Sequence, residues 1–197
     1  MASCVMNLPA RGGCRCGVCR YTIDAEPIVA YTCHCQECQK LTGSAFLTCM
    51  HIPAESLTLT SGTPSTDLRL AGSGNTLCTY FCQSCSSTLF IKNTARPLVR
   101  TLHVGSLDQP ELVNVNAHIW VKRKLPWVQL PPNDRIYQGS GDWRQDSPGD
   151  SARYAYPSQS QVSALPSPPP TLPPPPPPHT PLPPLPSHTT PTHPPPP

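Results

Sequence analysis

Apolar and polar residues alternate in short runs along the first 120 residues, and glycine, proline, serine and asparagine separate the runs. That pattern is the signature of β-strands joined by tight turns. Strands are expected at Arg20–Ile23, Phe46–His51, Ser56–Thr60, Thr66–Leu70, Thr76–Phe81, Thr88–Lys92 and Val99–Val104. Leu112, Val113, Val115, Ala117 and Ile119 give a period near two and add a strand over Glu111–Trp120. Ser61-Gly62 followed by Pro64 marks a turn, and Ala71-Gly72-Ser73-Gly74-Asn75 marks a hairpin connection. Helical periodicity is scarce, limited to a turn or two after Cys38 that Gly43 stops. The expected fold class is mainly β.

Composition divides this chain in two. Of its 30 prolines, 10 lie in residues 1–156 and 20 in the last 41, a stretch without Lys, Arg, Asp, Glu, Cys or any aromatic residue. Such a segment cannot bury enough apolar surface to offset the entropy of ordering it. The expected organisation is an N-terminal extension over 1–10, one compact domain over 11–143 and a disordered Pro-rich tail over 144–197. Pro173–Pro178 and Pro194–Pro197 favour polyproline II, which suits the aromatic grooves of SH3- or WW-type partners. No run approaches the ~18–20 apolar residues of a membrane span, so no membrane partner is expected. Met1–Pro9 lacks the basic and apolar regions of a secretory signal, which places the chain inside the cell, in the cytoplasm or nucleus. The formal net charge of +3 is spread along the domain. Its one basic knot, Lys122-Arg123-Lys124, is too small for a nucleic-acid footprint and reads as a solvated face.

All 11 cysteines lie within the first 85 residues. In a reducing compartment clustered thiols point to metal rather than to disulfides. Three groups stand out: Cys14-Arg-Cys16-Gly-Val-Cys19, Cys33-His-Cys35-Gln-Glu-Cys38 and Cys82-Gln-Ser-Cys85. Zinc takes four such ligands when structural, or three and an open position when catalytic. Spacing alone leaves the partition open. Each triplet can borrow one cysteine from the Cys82/Cys85 pair, giving two closed sites. Alternatively Cys14 and Cys16 join Cys82 and Cys85, leaving Cys33, Cys35 and Cys38 with a free fourth position. An iron–sulfur cluster is disfavoured because neither triplet has a ferredoxin spacing.

The same residues carry a resemblance. Gly13-Cys14-Arg-Cys16-Gly17 with Tyr21, the run Cys33-His34-Cys35 to Cys38 continuing to Phe46, and Phe81-Cys82-Gln-Ser-Cys85 with Leu89 occur in this order. Gly105-Ser106-Leu107-Asp108 and His118-Ile119-Trp120 with Trp127 follow. Together they resemble the glutathione-dependent formaldehyde-activating enzyme / centromere protein V family over Arg11 to Trp143. The resemblance implies an Mss4-like fold, several short coiled sheets around two zinc ions. It implies a structural zinc on Cys14, Cys16, Cys82 and Cys85, and a catalytic zinc on Cys33, Cys35 and Cys38. Cys19 then falls at a position the family fills with an apolar residue, and Ser86 where the family has glycine.

The implied activity is that of a carbon–sulfur lyase acting on glutathione, or another small thiol, and on formaldehyde or a related small aldehyde. The alternative is a non-catalytic, zinc-stabilised binding module whose Pro-rich tail recruits partners. Cys4, Cys49 and Cys78 are isolated and read as non-ligands. His34 is expected to point away from the metal, His118 to pack in the core or serve the site, and His51 and His103 to be structural.

Overall fold

A computed structural model of the chain describes residues 6–71 and 74–141. Cys4, the Gly72-Ser73 tip of the expected hairpin, Trp143 and the Pro-rich tail with its expected SH3/WW-type partner lie outside the described residues.

The mainly β expectation holds. Among the described residues eleven strands form two sheets: β1 (Ala10–Gly13), β2 (Arg20–Ile23), β3 (Val29–Cys33), β4 (Leu47–Pro53), β5 (Leu57–Ser61), β6 (Ser65–Leu70), β7 (Thr76–Phe81), β8 (Thr88–Asn93), β9 (Val99–His103), β10 (Ala117–Ile119) and β11 (Arg135–Ile136). The smaller sheet runs β1-β2-β5 and the larger β11-β10-β3-β4-β9-β8-β7-β6. The α-helix among the described residues is α1, Gln36–Thr42. Among those residues no helix is long and apolar enough to cross a membrane.

Period-two segments emerge close to where the pattern puts them. Arg20–Ile23 and Thr76–Phe81 match β2 and β7 end for end. Gly62 takes a left-handed φ of 68° between β5 and β6, the conformation that the β5–β6 turn requires of it. The pattern does not mark the short strands β1 and β11, and three further elements differ. β3 has no alternation to read, because all five of its residues are buried. It sits inside the large sheet between β4 and β10, covered on both faces. Residues 111–120 do not form one strand: Pro110–Leu112 is a 3-10 turn, and only Ala117–Ile119 pair. Proline at the head of that turn fixes φ and removes a ladder donor. The helix starts before Cys38 rather than after it, for a reason that belongs to the site below, although Gly43 ends it as expected at φ 62°.

Strand alternation sends β3 and β4 side chains into two clusters. Ala30, Met50 and Ile52 join Tyr21, Ile23, Leu89 and Leu102 in the larger core. Val29, Tyr31, Cys33, Leu47 and Cys49 face the other way and pack with Ala117 and Ile119 of β10. His51 and His103 are buried, and burial lowers their pKa values to about 3 and about 4, so both imidazoles are neutral in the fold.

Candidate metal centres

Two groups of thiols converge, from the segments singled out by spacing. The ten described cysteines are all free of disulfides. In the first group, the Sγ atoms of Cys14, Cys16, Cys82 and Cys85 all lie within 4.8 Å of one another. Two of the separations are 3.5 Å (Cys14–Cys16) and 3.7 Å (Cys16–Cys82). Sulfurs at zinc–thiolate bond length around a tetrahedron stand about 3.8 Å apart, so this donor set fits a four-coordinate zinc.

Each half of this group sits on a backbone knuckle. Gly17 N–H donates to Cys14 O at 3.0 Å and Cys14 N–H to Cys19 O at 3.0 Å. Across from it, Ser86 N–H donates to Cys82 O at 2.8 Å and Cys82 N–H to Ser87 O at 2.9 Å. The Ser87 hydroxyl lies 3.3 Å from Cys85 Sγ, and hydrogen bonds from Ser87 bring that thiol down to about 5. Cys19 is 1 % exposed, donates its backbone N–H to Cys14 Sγ, and has its thiol pushed up to about 11 by burial. It packs behind the four.

Ser86 has φ 60°, the left-handed region in which the family motif carries glycine. The side chain is exposed and gains nothing in return. A non-glycine residue there costs about 1 kcal/mol. Ser86→Gly is therefore expected to stabilise the metal-loaded chain by about that amount, read as a higher urea midpoint at unchanged slope. A lower midpoint would contradict the strain argument.

The second group is Cys33 at the end of β3 with Cys35 and Cys38 of the following turn and helix, again with all Sγ atoms within 4.8 Å. Cys35 is the N-cap of α1. Its Sγ accepts the Cys38 N–H at 3.4 Å, and its carbonyl accepts the Gln39 N–H at 3.0 Å. A thiol here does the work usually given to serine or aspartate, which is why the helix begins three residues earlier than the pattern indicates. Hydrogen bonds from the Cys33 and Cys38 thiols drive the Cys35 pKa down, and the same sharing drives theirs up. Three thiols competing for one negative charge are the donor chemistry that a soft cation relieves.

All three line a cleft of about 600 Å³. One wall is apolar, with Leu47, Leu77, Ile91 and Ile119; the rim carries Arg69, Arg96 and Arg123. Glu37, within the triplet loop, lies 3.9 Å from Arg69. Tyr31 Oη and His51 Nε2, 2.9 Å apart, are buried in the wall, as is the Cys49 thiol, which burial pushes well up. Trp120 borders the cleft with a left-handed φ of 58°, held by its N–H on Gly139 O at 2.8 Å and its carbonyl under the Arg123 N–H. Lys122 stacks 5.0 Å over its ring, and Lys124 Nζ donates to Leu125 O and Val128 O. Of the basic knot, Arg123 lines the cleft, while Lys122 and Lys124 are held by local contacts.

His34 does point away from the thiols, as expected. It is fully buried, and burial lowers its pKa to about 4. Its Nε2 lies 3.1 Å from His118 Nδ1, and His118 Nε2 lies 2.9 Å from Asp134 Oδ2. Asp134 was not marked by the sequence. It lies outside every cysteine motif, and only the pairing of β10 with β11 brings it to His118.

Comparison with known proteins follows the same line. The sequence model of the family described as glutathione-dependent formaldehyde-activating enzyme matches residues 9–123. Among solved structures, a Rhodobacter sphaeroides protein determined as a structural-genomics target is similar at 16 % identity and a TM-score of 0.41, covering 64 % of this chain and 98 % of its own. No curated protein matches.

Proposed function

The chain belongs to the glutathione-dependent formaldehyde-activating enzyme family, and from that premise we propose that it joins a small thiol to a small aldehyde, and separates them, at Cys33, Cys35 and Cys38. The observation that carries the reading is the unequal pair of donor sets. Four thiols close one site, whereas three thiols line a cleft large enough for a tripeptide-sized thiol.

A zinc ion on the three thiols would supply positive charge at an open position, lowering the pKa of an incoming thiol. The chain's own contribution is position and exclusion. The apolar wall of Leu47, Leu77, Ile91 and Ile119 keeps water from the aldehyde, and Arg69, Arg96 and Arg123 offer charge to the carboxylates of a thiol such as glutathione. In the forward direction the sulfur bonds the carbonyl carbon. The π pair moves to oxygen, and the proton lost by the thiol ends on that oxygen. The reverse breaks the carbon–sulfur bond, which is the lyase direction. No oxidant or reductant enters.

The test is a glutathione titration of the full chain loaded with cobalt(II). A saturable spectral change in about half of the bound metal is expected, since a four-thiolate site has no position to give. No change at all would mean two closed sites and would favour the non-catalytic binding module instead.

A further inference from the structure

We propose that Asp134, His118 and His34 form a buried brace that positions the Cys33–Cys35 turn, and that the brace governs how tightly the three-thiol site, but not the four-thiol site, holds its metal. The inference rests on the reading of Cys33, Cys35 and Cys38 as metal ligands.

The carboxylate sets the direction of the chain. A neutral His118 that donates its Nε2–H to the Asp134 carboxylate presents a lone pair at Nδ1. That lone pair meets two donors, Thr32 Oγ1 and His34 Nε2. His34 Nε2 is also 3.4 Å from Thr32 Oγ1. Thr32 has one hydroxyl proton, so His34 Nε2 donates to Thr32 Oγ1 when that proton goes to His118, and to His118 Nδ1 otherwise; both arrangements put the His34 proton on Nε2 and leave Nδ1 bare. His34 Nδ1 is indeed buried without a hydrogen-bond partner, and a bare lone pair is less costly to bury than an orphaned N–H. One tautomer and one ring orientation satisfy the set.

That ring belongs to the residue between two of the thiols. The His34 peptide is held as well: its N–H donates to Ile119 O at 3.0 Å, and its carbonyl accepts Gln39 Nε2 at 2.8 Å. Gln39 Nε2 also reaches Arg123 O at 3.0 Å. With ring and peptide both fixed, the two peptide planes that orient Cys33 and Cys35 have little freedom. The sheet supplies the frame, because β10 runs parallel to β3 with His118 opposite Thr32 and Ile119 opposite Cys33. Strand alternation puts His118 and Thr32 on the face opposite Ile119 and Cys33, so the brace lies behind the thiols and outside their cleft.

Among the described residues the four-thiol site has no such chain; its knuckles are held by backbone hydrogen bonds and Ser87. Nor is a polar chain needed for packing here, since apolar side chains fill buried space at least as well. What a directional chain adds is a fixed orientation, and partners of this kind are worth 10- to 100-fold in metal affinity.

The experiment is chelator competition on the full chain loaded with cobalt(II), comparing the parent with Asp134→Asn, Asp134→Glu and His118→Gln. Asp134→Asn is expected to weaken one of two bound ions by about 10- to 100-fold, leave the other unchanged, and shift the visible bands of the ion that responds to added thiol. Asp134→Glu, which keeps a charged carboxylate that only accepts, should recover most of the loss. His118→Gln must show the same selectivity, and it decides the matter should Asp134→Asn not fold. Tyr21→Phe is the control, because it removes the hydrogen bond between buried Tyr21 of the smaller sheet and Ser106 Oγ. It should lower stability with both affinities intact. Asp134→Asn behaving like Tyr21→Phe, or weakening both ions equally, overturns the brace while leaving the metal sites standing. A parent chain that binds one ion overturns both.

Discussion

Cys82→Ser is expected to leave a chain with no cooperative thermal transition and no more than one bound metal. Cys82 is 1 % exposed and sits in the larger core beside Cys14, Cys19 and Leu89. Its group ties residues 14 and 16, next to β1 and β2 of the small sheet, to residues 82 and 85 between β7 and β8 of the large one. A metal held there acts as a staple between two sheets. Structural zinc in small domains contributes about 10 kcal/mol or more of folding free energy, which is comparable to the whole net stability of an ordinary domain. Serine cannot replace the thiolate, and it leaves a hydroxyl facing three thiols in a buried place. Circular dichroism, proteolysis and metal content measure the outcome. Cys19→Ala makes the control: equally buried but outside the four, it should cost about 1 kcal/mol of packing. A cooperative transition within a few degrees of the parent, with two metals bound, would remove Cys82 from the structural role.

The parts of the molecule legible in the sequence were those in which local chemistry and global position agree. Thr76–Phe81 carries strand-favouring residues between two turn signals, and it folds as written. The cysteine pairs were legible as pairs, since a knuckle places two thiols on one ion within a few residues. Which pairs share an ion was not, because that depends on β2 to β7 returning residue 82 to residue 14. β3 was hidden by its burial on both faces, which erases alternation. The helix start is hidden by chemistry: the spacing marks Cys35 as a ligand, and its thiol also caps α1. The residues behind the site were hardest to find. His118 stood out only as a motif member and Asp134 not at all, yet a parallel pairing of two residues brings them within 2.9 Å. Short strands far apart in sequence leave no periodic trace.

Cys35→Ser should do the opposite of Cys82→Ser, keeping the fold and losing the chemistry. Cys35 is partly exposed at the edge of the smaller cluster, where it packs against buried side chains without being one of them. Its local structural task is to cap α1 by accepting the Cys38 N–H. Serine is among the best residues for that task, so the helix keeps its start and the melting temperature should move by only a few degrees. The donor set, however, falls from three thiols to two and a weaker hydroxyl. Loss of a direct ligand should exceed the 10- to 100-fold effect of an outlying partner. The thiol-dependent activity is therefore expected to drop by at least about 100-fold. Because formaldehyde and glutathione combine unaided, the rate to measure is the exchange between free and adduct formaldehyde by NMR, with and without the chain. The cobalt-loaded variant should also lose the saturable response to glutathione while keeping the spectrum of the four-thiolate site. Unchanged exchange would take Cys35 out of the reaction. Collapse of the fold to the extent expected of Cys82→Ser would mean that both metals are structural, and the open-site chemistry would fall with it.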